Sequence, residues 1–126
     1  MNLQVNASLL ILVLAGSALS QQTIQVPANQ PTIQGAIIAA QPGDTIVVAP
    51  GLYVENIDFL GKEIQLIGAG IGQTILDGGQ NGTVVTMTGG EGPNTLVQDL
   101  TIQNGTGTVV PTVGAPITMG GGVFLK

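Results

Sequence analysis

The chain has 126 residues, of which 44% are hydrophobic, 2% aromatic and 7% charged, and its formal net charge is −5. Lys62 and Lys126 are its only basic residues, with no Arg and no His, so nothing can neutralise a row of phosphates, and nucleic acid and anionic membranes are excluded as partners. Cys is absent, which removes disulfides, thiolate catalysis and cysteine metal sites, while the abundance of Val, Ile and Thr suits a strand-rich core in a single domain.

The first twenty residues, MNLQVNASLLILVLAGSALS, read as an export signal. An apolar run over residues 9–15 is followed by small residues, with Ala18 and Ser20 placed as a signal peptidase requires before Gln21. The run is shorter than the roughly 20 apolar residues that span a bilayer. The alternative is a buried N-terminal helix, since no Lys or Arg precedes the apolar run. Cleavage after Ser20 is expected, giving a signal peptide over residues 1–20, a β-helix domain over residues 21–126, and a secreted or cell-envelope protein with no membrane insertion.

In PTIQGAIIAAQPGD the period changes. Ile33, Ile37 and Ala40 recur at helical spacing with Ala36 beside them, which predicts a short helix over residues 31–40, ended by Pro42 and Gly43. From Asp44 onward the chain offers only strand-like runs of a few residues separated by Gly, Asn or Pro.

The runs repeat. DTIVVAPG overlays KEIQLIGA, pairing Ile46 with Ile64 and Val48 with Leu66, and VVTMTG extends the series by matching Val85 to Ile64 and Met87 to Leu66. A second series places NGT at residues 81–83 and again at 104–106. A period of about twenty residues indicates a solenoid, in which a unit buries its apolar face only by stacking on the next. Ile46, Val48, Ile64, Leu66, Val85 and Met87 are expected to share one core. Three strands and three turns per coil, stacked about 4.8 Å apart in parallel sheets, fit this length, and the glycines serve the turns.

The stretch from Pro31 to Gly79, and LVQDLTIQNGTG after it, resembles the opening of right-handed parallel β-helix proteins of the pectin lyase-like superfamily, with residues 51–79 similar to the start of pectin methylesterases. That resemblance implies an all-β, right-handed parallel β-helix in which the helix over residues 31–40 caps the N-terminal end. It implies no particular reaction, because the same opening occurs on esterases, lyases, hydrolases and exported proteins without an assigned one. The residues that work in the methylesterases belong to later coils and are not matched, and the arginine of the lyases is missing.

The carboxylates that remain are Asp44, Glu55, Asp58, Glu63, Asp77, Glu91 and Asp99. Glycoside hydrolysis needs two of them facing each other across about 5–10 Å. Asp77 and Asp99, 22 residues apart and thus close to one coil, are the catalytic candidates; against that stands their suitability as turn residues bonding nearby amides. The same pair with Glu91 could hold Ca²⁺ through oxygen, but no tight acidic spacing supports a metal, so no cofactor is expected. Tyr53 is the ligand-binding candidate, by stacking on a sugar ring; the competing reading has it filling space beneath the cap helix. GAGIG lacks the following helix of a phosphate loop, and the two NGT sequences are either glycosylation sequons or stacked turns with Asn in the left-handed region.

PITMGGGVFLK ends in a strand pattern with no closing cap, so further coils beyond Lys126 are expected. The sequence therefore predicts an exported β-helix scaffold, with polysaccharide as its candidate partner and no catalytic constellation of its own. The alternative is the N-terminal part of a pectin- or polysaccharide-degrading enzyme whose catalytic residues follow Lys126.

Overall fold

The computed structural model describes residues 20–106 and the backbone of residues 123–125. The expected export signal falls, apart from Ser20, outside the described residues, as does Lys126. Among the described residues no helix is long and apolar enough to cross a membrane.

Strand β1 (Thr23–Val26) leads into helix α1 (Ile33–Ala39). The helix starts two residues later than Pro31 because Thr32 is its N-cap, its hydroxyl accepting the Gly35 N–H at 3.0 Å. Ile33, Ala36, Ile37 and Ala40 are all buried, so the stripe read from the sequence is the face that packs on the solenoid.

Nine short strands follow: β2 (Thr45–Val48), β3 (Gly51–Val54), β4 (Ile57–Asp58), β5 (Gln65–Ile67), β6 (Thr74–Asp77), β7 (Val85–Met87), β8 (Leu96–Gln98), β9 (Thr101–Gln103) and β10 (Val123–Leu125). They stack into three parallel sheets: A, in the order β1-β2-β5-β8; B, in the order β3-β6-β9; and C, in the order β4-β7-β10. Each full coil visits A, B and C in turn, which is a parallel β-helix with three strands per coil. Helix α1 packs on β1, β2 and β4.

The core is a column of stacked inward residues. Ile46, Val48, Ile64, Leu66 and Val85 are fully buried and Met87 is packed against them, as the periodicity predicts. The register differs. Ile46 pairs with Leu66 rather than Ile64, a slip of two residues that keeps the same side chains inward because strand alternation has period two. Val85 and Met87 are not on the sheet of Ile64 at all: β7 pairs with β4, Ile57 facing Val85, and the next strand of sheet A is β8. The cause is uneven coil length, since Ile46 to Leu66 is 20 residues while Leu66 to its partner Val97 is 31, so a fixed period drifts off the sheet.

The glycine-rich GAGIG joins β5 to β6 as a turn, with strand rather than helix after it. Gly68 is required there by close approach, since a Cβ would strike the Asp99 carbonyl oxygen of the next coil. The two NGT sequences do stack: the Gly82 N–H donates to the Thr106 hydroxyl at 2.9 Å and the Thr106 N–H to the Gly82 carbonyl at 3.0 Å. Asn104 takes the left-handed conformation (φ 57°), but in the earlier turn it is Gln80 (φ 57°) and not Asn81 that does so.

Candidate functional site

Most of the polar side chains singled out by the sequence hold the coil together. Glu55, just after β3, accepts the N–H groups of Ile33 (2.9 Å) and Gln34 (3.0 Å), placing a carboxylate on the otherwise unpaired donors at the start of α1. At the other end Lys62 donates to the carbonyls of Ile37 (2.8 Å), Ile38 (2.9 Å) and Ala40 (2.8 Å), where a cation suits the helix dipole. Gln34 adds a third tie, its side-chain amide pairing with both backbone groups of Asp58. One coil thus clamps its own cap at both ends.

The other carboxylates act similarly. Asp44, 3% exposed, accepts from the N–H groups of Gln22 and Gln41. Asp58 accepts from Leu60, Glu63 from Asn94, and Glu91 bridges the N–H groups of Gly61 (3.0 Å) and Gly89 (3.1 Å). No buried side-chain polar atom is left without a partner among the described residues.

Asp77 ends β6. One oxygen accepts the Gly79 N–H at 2.7 Å; the other accepts the side-chain amides of Gln103 (2.8 Å) and Asn104 (2.7 Å) from the following coil. These donors, the Gln103 amide first, hold its pKa below the usual aspartate value. Asp99 lies elsewhere. It occupies the left-handed turn before β9 (φ 59°), its side chain hydrogen-bonded among the described residues only to the Gln98 amide at 3.3 Å, and its carbonyl accepts the Gly70 N–H at the opposite end of sheet B. Asp77 is in register with Gln103, at the far end of β9 from Asp99. The two candidate carboxylates therefore lie at opposite ends of sheet B. Among the described residues no group of three His, Cys, Asp or Glu is arranged to hold a metal ion.

Tyr53 points inward from β3, half-buried against the core, and its hydroxyl donates to the Ala49 carbonyl at 3.0 Å. Burial, and secondarily the negative charge of Glu55, raises its pKa. It packs partly against the core, on a strand other than those α1 chiefly packs on.

What the sequence did not reveal is the outer face of sheet A. Strand alternation and register place Thr23, Thr45, Gln65 and Leu96 in one outward row and Gln25, Val47, Ile67 and Gln98 in the next. This four-strand face carries hydroxyls, amides and small apolar groups without a charged side chain. It could be found only once the strands were aligned, because no motif marks it. Comparison with protein-family models, curated proteins and solved structures found no match.

Proposed function

We propose that the chain is an exported, non-catalytic parallel β-helix module of the pectin lyase-like kind, a scaffold whose sheet A outer face rests on a neutral polysaccharide. The observation that carries this reading is the use made of the carboxylates. Six of the seven acidic side chains accept backbone N–H groups at turns, loops or the helix end, which is structural work, and the seventh, Asp99, lies at the opposite end of sheet B from Asp77. The rows of Thr and Gln on sheet A match the hydroxyl-rich edge of a glycan chain, and their repeat along the stacking direction suits an extended polymer. A net charge of −5 disfavours polyuronates and so selects a neutral glycan.

Affinity electrophoresis through gels containing neutral or acidic polysaccharides tests this. Retardation by a neutral glycan, abolished by Thr45→Glu with Gln65→Glu but kept by Leu52→Glu on sheet B, is the expected pattern. Equal retardation of all three proteins, or none with any glycan, would sink the binding surface.

A further inference from the structure

A β-sheet edge is a row of unpaired N–H and C=O groups that will pair with another strand unless something blocks it. At the N-terminal end of this solenoid three edges need blocking. On β1, where Thr23 and Gln25 point outward, the backbone groups of Gln25 are both occupied: its N–H donates to Asn29 Oδ1 at 2.8 Å, and its carbonyl accepts the N–H groups of Asn29 (2.7 Å) and Gln30 (3.1 Å). On β4 the Gln34 side chain pairs with both backbone groups of Asp58, at 2.7 and 3.1 Å.

On β3 nothing does this. In its parallel ladder with β6 the bonding residues are Gly51, Tyr53 and Glu55, as the Gly51 N–H to Gln73 carbonyl and Glu55 N–H to Asp77 carbonyl bonds show. The N–H and C=O groups of Leu52 and Val54 therefore point away from the coil, and no described residue bonds them. Their side chains are 62% and 65% exposed, and β3 carries no charge, Pro or bulge.

We propose that this edge pairs with β3 of a second copy of the chain, antiparallel and two-fold about Tyr53. The four free groups are self-complementary. With Leu52 opposite Val54 of the second copy, each pair exchanges two hydrogen bonds, and the same operation completes the other pair. The four apolar side chains then meet on one outer face, as cross-strand neighbours do. Two four-residue strands bury far less than the roughly 1,200 Å² of a stable interface, so the dimer is weak and reversible.

Sedimentation velocity of the whole chain over a wide concentration range should show a reversible monomer–dimer equilibrium. Val54→Lys, an exposed change, should move the dimer's onset to about tenfold higher concentration. The register is read separately, by mixing Leu52→Cys with Val54→Cys in a chain that has no other cysteine. Hydrogen-bonded antiparallel partners have Cα atoms about 5.5 Å apart, within disulfide range. Oxidation of the mixture should give a mixed disulfide dimer, and either variant alone should form no disulfide. A chain that sediments as a monomer throughout, a dimer indifferent to Val54→Lys, or cross-linking of Val54→Cys with itself would each overturn the proposal.

Discussion

The coil of β2, β3 and β4 and the coil that begins with β8 and β9 have the same architecture but not the same burial. In the first, Ile46, Val48, Ile57 and Phe59 are at most 1% exposed, because α1 and β1 lie on one side and β5, β6 and β7 on the other. In the later one, Val97, Leu100 and Ile102 are only partly buried against the core. A solenoid coil is stabilised by the residues packed on both sides of it, so a truncation should cost more in the better-enclosed coil.

Core truncation breaks the comparison most severely. Leu66→Ala removes a side chain enclosed on all sides and should cost about 2–5 kcal/mol, whereas Val97→Ala on the next strand of the same sheet should cost about 1 kcal/mol. Denaturant titration of both variants checks this; equal losses would mean that the later coil is as well supported as the earlier.

The cap comes next. Removing the Glu55 carboxylate (Glu55→Ala) frees two donors at the start of α1, and Lys62→Met frees three carbonyls at its end, each change costing about 1–2 kcal/mol. Asp99→Asn, with no backbone donor on its carboxylate among the described residues, should leave the melting temperature unchanged. A melting loss at Asp99 as large as at Glu55 would contradict the division between structural carboxylates and the free one.

Two titrations sharpen the contrast further. The depressed pKa of Asp77 favours its ionised form in the folded state, so its contribution is complete above the ordinary value of about 3.9 and lost as pH falls through the lower folded value. The melting difference between the parent and Asp77→Asn should therefore shrink on acidification. Tyr53 has the opposite sign: its raised pKa favours the protonated form, whose contribution is complete below about 10 and lost as pH rises through the folded value. As the only tyrosine, it should ionise in ultraviolet difference spectra above the usual phenol pH. A normal midpoint would place its ring in solvent.

Where the coils were regular, the fold was legible in the sequence. The helix stripe Ile33, Ala36, Ile37 and Ala40, the inward set from Ile46 to Met87, and the stacked NGT turns follow from spacing alone. Register did not, because shifting Ile46 by two residues leaves every apolar side chain facing inward, and composition cannot distinguish the two pairings. The placement of Val85 failed for another reason: the longer second coil adds loop, and loops carry no periodic signal. Of the candidate residues, Asp77 stood out by coil spacing and Tyr53 as the only tyrosine; the Asp77 partners Gln103 and Asn104, 26 and 27 residues away, became visible only through the stacking, whereas the Tyr53 partner Ala49 lies 4 residues back in the same coil.

The central claim is that the carboxylates hold the solenoid and do not turn over a substrate. It is tested most directly by assaying the chain on neutral and acidic polysaccharides for reducing-sugar, methanol and unsaturated-product release, beside the Asp77→Asn, Asp99→Asn double variant. The account predicts no turnover by either protein, with the double variant melting at lower temperature because the Asp77 tie is weakened. Turnover by the parent that vanishes in the folded double variant would contradict it.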